Sequence, residues 1–293
     1  MNYINFMINR MRKNFHLEDF DTVILSRPHN HIFGPYIKGK KKIVILSDAY
    51  HTMGNTLDET RKVIEMADVI MATSMALKEV YVKKYYSIDN KEIVYWPNCV
   101  DLEVWDPEKL NAKKPRLLSD EIVVGFAGNF MEATDIHLLY EVVNKMKNVT
   151  FILAGKDNFP ANAPEKEIFQ KIISASNVNY KGYIHYTQLP QEVMTWDICI
   201  MIDAISEHAS YHHHNKMYQY LALGKPVVFQ KNHNDYESLK EVAVGVTGSA
   251  EFVEQLGLMI QKIKNGEDFT EKAKYMASLN SSKKRAEQLL NII

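Results

Sequence analysis

The sequence predicts an α/β protein built from two doubly wound parallel sheets, and three observations carry that prediction. Short β-branched runs alternate with helical patterns almost throughout, the rhythm of a parallel sheet covered on both faces. That rhythm stops once, at 106–119 (DPEKLNAKKPRLLS), where two prolines, four basic residues and little periodicity mark a linker. The 293 residues, 46% hydrophobic and 24% charged, suffice for two folded cores. The expected division is a first domain at 1–110, a second at 111–280 and a closing helical segment at 281–293 that packs back on the first.

In the first part, strands are predicted at 22–26, 42–46, 69–73 and 92–95, with helices at 58–66 and 75–85. After the linker the rhythm is clearer. Strands are predicted at 121–127, 149–154, 178–181, 198–202, 226–230 and 243–246. Helices are predicted at 135–147, 165–175, 216–223 and 250–264, and 268–293 reads as purely helical. Ligands of such sheets bind at the carboxyl ends of the strands, so the loops after the strands carry the functional weight.

The totals exclude several classes. A net charge of -1 gives no global field for nucleic acid. Cys99 and Cys199 form no CxxC pair and no disulfide framework, which fits a reducing cytoplasm. No apolar run approaches the roughly 18 residues needed to span a bilayer. The N-terminus, MNYINFMINRMRKNFHL, reads as a surface helix. Its alternative is an amphipathic foot on an anionic membrane, helped by Arg10, Arg12, Lys13 and the run Lys40-Lys41-Lys42.

Gly128 and Asn129 follow the strand at 121–127. A glycine there lets backbone approach a bulky ligand group, often a phosphate, or makes a plain turn. The stretch NKMYQYLALGKPVVF (215–229) reads as helix, glycine turn and buried strand. Asn215 is placed to cap the helix, and Gly224 to end it in the left-handed conformation. Lys216 falls in the first turn, where the helix dipole disfavours a cation. An anionic ligand held by the helix amides and the ammonium would offset that cost; a solvated lysine is the plain alternative. Gln219 shares its face at i+3. His208, His212, His213 and His214 precede the helix in a loop that lacks a convincing metal-ligand pattern. Such residues offer ring nitrogens to ligand hydroxyls, and a protonatable His could assist a leaving group. Asp48 and His51 lie just past the 42–46 strand, where Asp48 could equally be an N-cap. Arg27 and His29 follow the first strand and suit an anionic ligand. Asn98 and Asp101 suit Asx turns. Asp235, Tyr236 and Glu237 follow the 226–230 strand, and Glu237 is either a ligand contact or a first-turn acid.

From about 21 to 246 the chain resembles the GT-B glycosyltransferases, most of all the family-4 "group 1" type. The segments that carry the resemblance are ADVIMATSMALKE, PNCVDLEVWDP (with Cys99 where glycine is usual), VGFAGNF…DIHLLYEVV, VTFILAGKDN, VNYKGYIHYTQLPQEVMTWDICIMI and NKMYQYLALGKPVV. The resemblance implies two Rossmann-like domains, the N-terminal one shortened. The C-terminal domain would bind a nucleotide-activated sugar and the N-terminal one an acceptor. Lys216 would contact the donor diphosphate, with Gly128, Asn129, His214 and Glu237 around the donor. Gln219 stands where the family has a ribose-binding Glu, and Tyr211 where it has another Glu. The basic residue usual after the glycine turn is missing from GNFMEATD. Asp48 and His51 would serve catalysis on the acceptor side.

Two readings follow. One is a hexosyltransferase-like enzyme, retaining as the resemblance implies, that uses a saccharide or lipid-linked acceptor in bacterial surface polysaccharide synthesis. It would be cytoplasmic or peripheral at the inner membrane face, with no protein-bound metal or cofactor. The other is a non-catalytic sugar-nucleotide-binding or partner subunit, for which Gln219, Tyr211 and the short N-terminal domain speak. A GT-B-type epimerase shares the fold without a matching motif. A homo- or hetero-oligomer would cover the open sheet edge of a shortened domain.

Overall fold

A computed structural model describes residues 3–15, 20–88, 90–110, 121–231 and 236–293. Two compact units result: one from Met1–Asn98, Ser210–His213 and Ala286–Ile293, the other from Cys99–Ala209 and His214–Arg285. The expected boundary at 110/111 adjoins residues outside the description. The two units change at Asn98/Cys99 and again at Arg285/Ala286.

The first unit carries β1 (Phe20–Leu25), β2 (Gly39–Leu46), β3 (Val69–Ala72) and β4 (Glu92–Tyr95), all parallel in the order β1-β2-β3-β4. Its helices are α1 (Tyr3–Phe15), α2 (Leu57–Glu65) and α3 (Val82–Tyr86). The helix predicted at 75–85 is interrupted by a wider π turn at Leu77–Tyr81. The four residues of β3, VIMA, are all buried, as a strand covered on both faces requires. α2 starts in a capping box: Thr56 Oγ1 accepts from Glu59 N–H at 3.0 Å, and Glu59 accepts from Thr56 N–H at 2.9 Å. Leu289 and Ile292 pack on Ile43, Val69 and Met71.

The lysine run expected to help a membrane foot makes contacts within the first unit. Lys40 pairs with Asp21 at 2.5 Å, Lys41 donates to Ile292 O, and Lys42 donates to Gly34 O at 3.0 Å. α1 leaves Phe6, Arg10 and Lys13 exposed and buries Ile8. Among the described residues no helix is long and apolar enough to cross a membrane.

The second unit carries β5 (Val123–Ala127), β6 (Thr150–Ala154), β7 (Val178–Gly182), β8 (Ile198–Met201), β9 (Val227–Gln230) and β10 (Ala243–Val246). Its helices are α4 (Ile136–Lys145), α5 (Pro164–Ile173), α6 (Leu189–Val193), α7 (Glu207–Ser210), α8 (Asn215–Ala222), α9 (Ser249–Lys264), α10 (Thr270–Leu279) and α11 (Ser282–Leu290), of which α7 and α11 each run into residues of the first unit. The sheet is parallel, in the order β10-β9-β8-β5-β6-β7. β8 and β9 are buried at every position, and Trp196, Phe126, Phe130, Phe151, Phe169 and Phe252 fill the core. The order runs outward from β5 in one direction and from β8 in the other. The gap between their carboxyl ends is therefore a topological switch point, where ligands of such sheets bind.

Candidate functional site

Helix α8 is fixed over that switch point by its own side chains. Tyr220 Oη accepts from Ala127 N–H at 2.9 Å and donates to Ala127 O at 3.2 Å, which ties the helix to the end of β5. At the far end, Gly224 (φ +74) closes a Schellman motif: Gly224 N–H donates to Leu221 O at 2.9 Å and Lys225 N–H to Tyr220 O at 3.1 Å. Lys225, within the GKPVV stretch, donates to Met194 O and Trp196 O at 2.9 and 2.7 Å, so it is a structural lysine.

Lys216 is four residues before Tyr220, one turn up the same face. A Cβ built on Gly128 would lie 3.2 Å from Lys216 Nζ and 3.0 Å from Phe126 Cζ. The ammonium thus sits over the bare backbone of the glycine turn, 5.2 Å from the centre of the Phe126 ring. Among the described residues no carboxylate is within ion-pair distance of it. The turn is held from below by Gly155, whose φ is +151 and whose Cβ would come within 1.8 Å of Gly128 O. Gly128 N–H donates to Ala154 O at 2.9 Å. Asn129 Oδ1 accepts from Lys156 N–H at 3.3 Å, which locks the loops after β5 and β6 together.

The helix N-terminus differs from the sequence expectation in one respect. His214, not Asn215, occupies the N-cap (φ -100, ψ 128), its side chain makes no capping hydrogen bond, and the first turn holds no acid. The reason is the extended backbone of His214, whose N–H is taken by Tyr236 Oη at 2.7 Å. The leading amides of α8 therefore retain their capacity for an anion. Gln219 is 7% exposed.

Other expected residues go elsewhere. Tyr211, expected at the donor, is buried in the core of the first unit with its ring edge-on to Tyr81 at 5.1 Å. Its aromatic surface completes a cluster with Tyr81, Tyr85 and Tyr86. Asp48 is not an N-cap: Ala49 takes that position, and Asp48 accepts from Ser47 Oγ at 3.0 Å and pairs with His212 Nε2 at 3.3 Å. His51 stacks on Tyr81 and meets Tyr81 Oη through Nδ1 at 3.1 Å. Burial, then Tyr86, pushes the Tyr81 phenol well above its usual range. Arg27 lies over the Tyr50 ring. Asp101 makes the expected Asx turn, accepting from Glu103 N–H at 2.9 Å, but Asn98 holds the His213 carbonyl instead. Glu237 is exposed on a short 3-10 turn and lines a shallow pocket with Lys231 and Lys240. Asp235 lies outside the described residues. His214 and His212 are thus each held by a carboxylate, His214 Nε2 at 2.9 Å from Asp203 Oδ2.

Asp203 and Gln230 are site residues that sequence reading did not single out, whereas Tyr236 was named with its loop. The one available signal was a polar residue closing an apolar strand, as in PVVFQ, or opening the loop after one, as in CIMIDA.

No protein-family profile matches the chain. TuaH of Bacillus subtilis (strain 168), assigned as a teichuronic acid biosynthesis glycosyltransferase, is 26% identical over 168 residues, covering 57% of this chain and 41% of TuaH. This chain thus matches less than half the length of that curated relative. A glycosyltransferase from Rickettsia africae ESF-5 superposes with a TM-score of 0.76 at 15% identity, over 99% of this chain and 79% of that one. Anabaena Alr3699/HepE, in complex with UDP and glucose, does so with a TM-score of 0.71 at 15% identity, over 99% and 80%. TarM of S. aureus, in complex with UDP, gives 0.70 at 13% identity, over 98% and 58%. This is the GT-B glycosyltransferase fold. Within it, the Lys216–Gly128 contact lies at the switch point of the C-terminal GT-B sheet.

Proposed function

We propose that the protein is a glycosyltransferase that moves a sugar from a nucleotide-diphosphate donor to a saccharide or lipid-linked acceptor in surface polysaccharide synthesis. The observation that carries this is the placement of Lys216. A cation with no counter-ion among the described residues stands over a glycine turn, at the N-terminus of an eight-residue helix whose N-cap side chain makes no capping hydrogen bond. A diphosphate there gains the helix dipole and a charge-assisted hydrogen bond, terms of about 1 and about 2 kcal/mol. As the glycosidic bond to phosphate breaks, negative charge grows on the departing diphosphate, and both groups stabilise it more than they stabilise the ground state. The GT-B fold and the likeness to TuaH support the same reading. Asp48 and His51 are proposed for the acceptor side in the first unit, and retention is the outcome the resemblance favours. The basic, acid-free helix α1 supports peripheral contact with an anionic membrane.

Incubation with nucleotide sugars and free or lipid-linked saccharides, with release of nucleotide diphosphate as the readout, tests the proposal. Turnover that drops at least 100-fold in Lys216→Ala supports it. Turnover unchanged by that substitution contradicts the assigned role.

A further inference from the structure

Beside the N-terminus of α8 lies a small cavity lined by Met201, Asp203, Ala209, His214, Phe229, Gln230 and Tyr236. Its volume is about 10 Å³, room for one oxygen-sized group. All of these residues belong to the second unit. Its walls are rigidly built. Asp135 N–H donates to Ile202 O at 2.8 Å and Ala204 N–H to Ala133 O at 2.9 Å, which joins the loops after β5 and β8. Tyr236 and Asp203 hold the two ends of His214.

Gln230 closes β9 at 3% exposure, and its side-chain oxygen has no partner among the described residues. The orientation of this amide is dictated by its neighbour. Nε2 donates to Asp135 Oδ2 at 3.1 Å, while Asp135 Oδ1 is committed to capping α4 through Leu138 N–H at 2.9 Å. Flipping the amide would set its oxygen against a carboxylate oxygen. The nitrogen must face Asp135, so the oxygen must accept from elsewhere. A buried acceptor left unpaired costs about 1–3 kcal/mol. Native interiors rarely leave such a group without a donor.

We propose that Gln230 is a specificity residue of this site: its side-chain oxygen accepts a hydrogen bond from one hydroxyl of the bound nucleotide sugar. The inference rests on the reading of the second unit as a nucleotide-sugar site. It names a residue and a chemistry that the reading alone does not. A hydroxyl fits the size of the cavity and supplies the donor. A phosphate oxygen supplies none, and a carboxylate would meet Asp203. The hydroxyl comes from either the ribose or the transferred sugar, and both sources share this chemistry.

The test is calorimetry of the full chain with UDP-glucose, the donor seen bound to HepE, or with whichever nucleotide sugar binds instead. Analogues lacking single hydroxyls on the ribose or on the sugar are compared with the parent. One analogue is expected to bind at least tenfold more weakly, and its position names the source. Gln230→Met is expected to bind parent and that analogue equally, since the acceptor is gone. The comparison on the unaltered protein needs no variant to fold. Equal binding of every analogue by the unaltered protein, or discrimination that survives Gln230→Met, overturns the inference and leaves the oxygen to a bound water only. If no nucleotide sugar binds the unaltered protein, the donor-site reading itself fails, and the inference with it.

Discussion

Substituting Gly155 by alanine tests the way the donor-side loops are built. Gly155 has φ +151, and an added Cβ would lie 1.8 Å from Gly128 O, 2.6 Å from Gly128 C and 3.3 Å from Asn129 N. All three are backbone atoms, so no rotamer change relieves the clash. Backbone strain contributes about 1–3 kcal/mol and overpacking about 1–3 kcal/mol, a total of about 2–6 kcal/mol against a stability of about 5–15 kcal/mol for an ordinary domain. Relief must push the Gly128 turn away from its place beneath Lys216, so nucleotide affinity should fall with stability. Gly266→Ala is the control in the same unit. It has φ +89 and nothing within 4 Å of its Cβ, so it pays the conformational cost alone. Urea unfolding monitored by fluorescence measures both variants. Gly155→Ala should lie about 1–3 kcal/mol below Gly266→Ala. Equal stabilities would refute the interlocked loops.

Two further outcomes test the packing. Thr56→Ala removes the side chain that accepts from Glu59 N–H at the start of α2 and should cost about 1 kcal/mol in urea unfolding, whereas an unchanged midpoint would mean that the capping box is idle. On the alkaline side, stability should decline as pH rises through about 9. Burial raises the Cys199 thiol and the Tyr220 and Tyr81 phenols above their unfolded values, so the unfolded chain releases protons that the native chain keeps. A melting temperature constant to pH 11 would contradict this.

Most of the fold was legible because buried parallel strands announce themselves. VIMA, ICIM and VVFQ are apolar at every position and buried at every position. The lone lysine of α8 was legible for a similar reason, since it breaks a local rule at a helix start. The pairings of the histidines were not. His212 finds Asp48 and His214 finds Asp203, partners 164 and 11 residues away that no local pattern encodes. Tyr211 read as a site residue because of its place in a motif, yet a tyrosine beside Tyr81 gains more from burial than from water. Gln230 escaped notice because its meaning depends on Asp135, a helix cap 95 residues earlier in the loop after β5.

The central claim is that Lys216 and the start of α8 hold a nucleotide diphosphate. Isothermal titration calorimetry of nucleoside diphosphates and their sugars against the unaltered protein and Lys216→Ala tests it most directly. The account predicts binding of at least one nucleotide, weakened tenfold or more by the substitution, about 1.4 kcal/mol. Absence of nucleotide binding, or equal affinity of the two proteins, would contradict it.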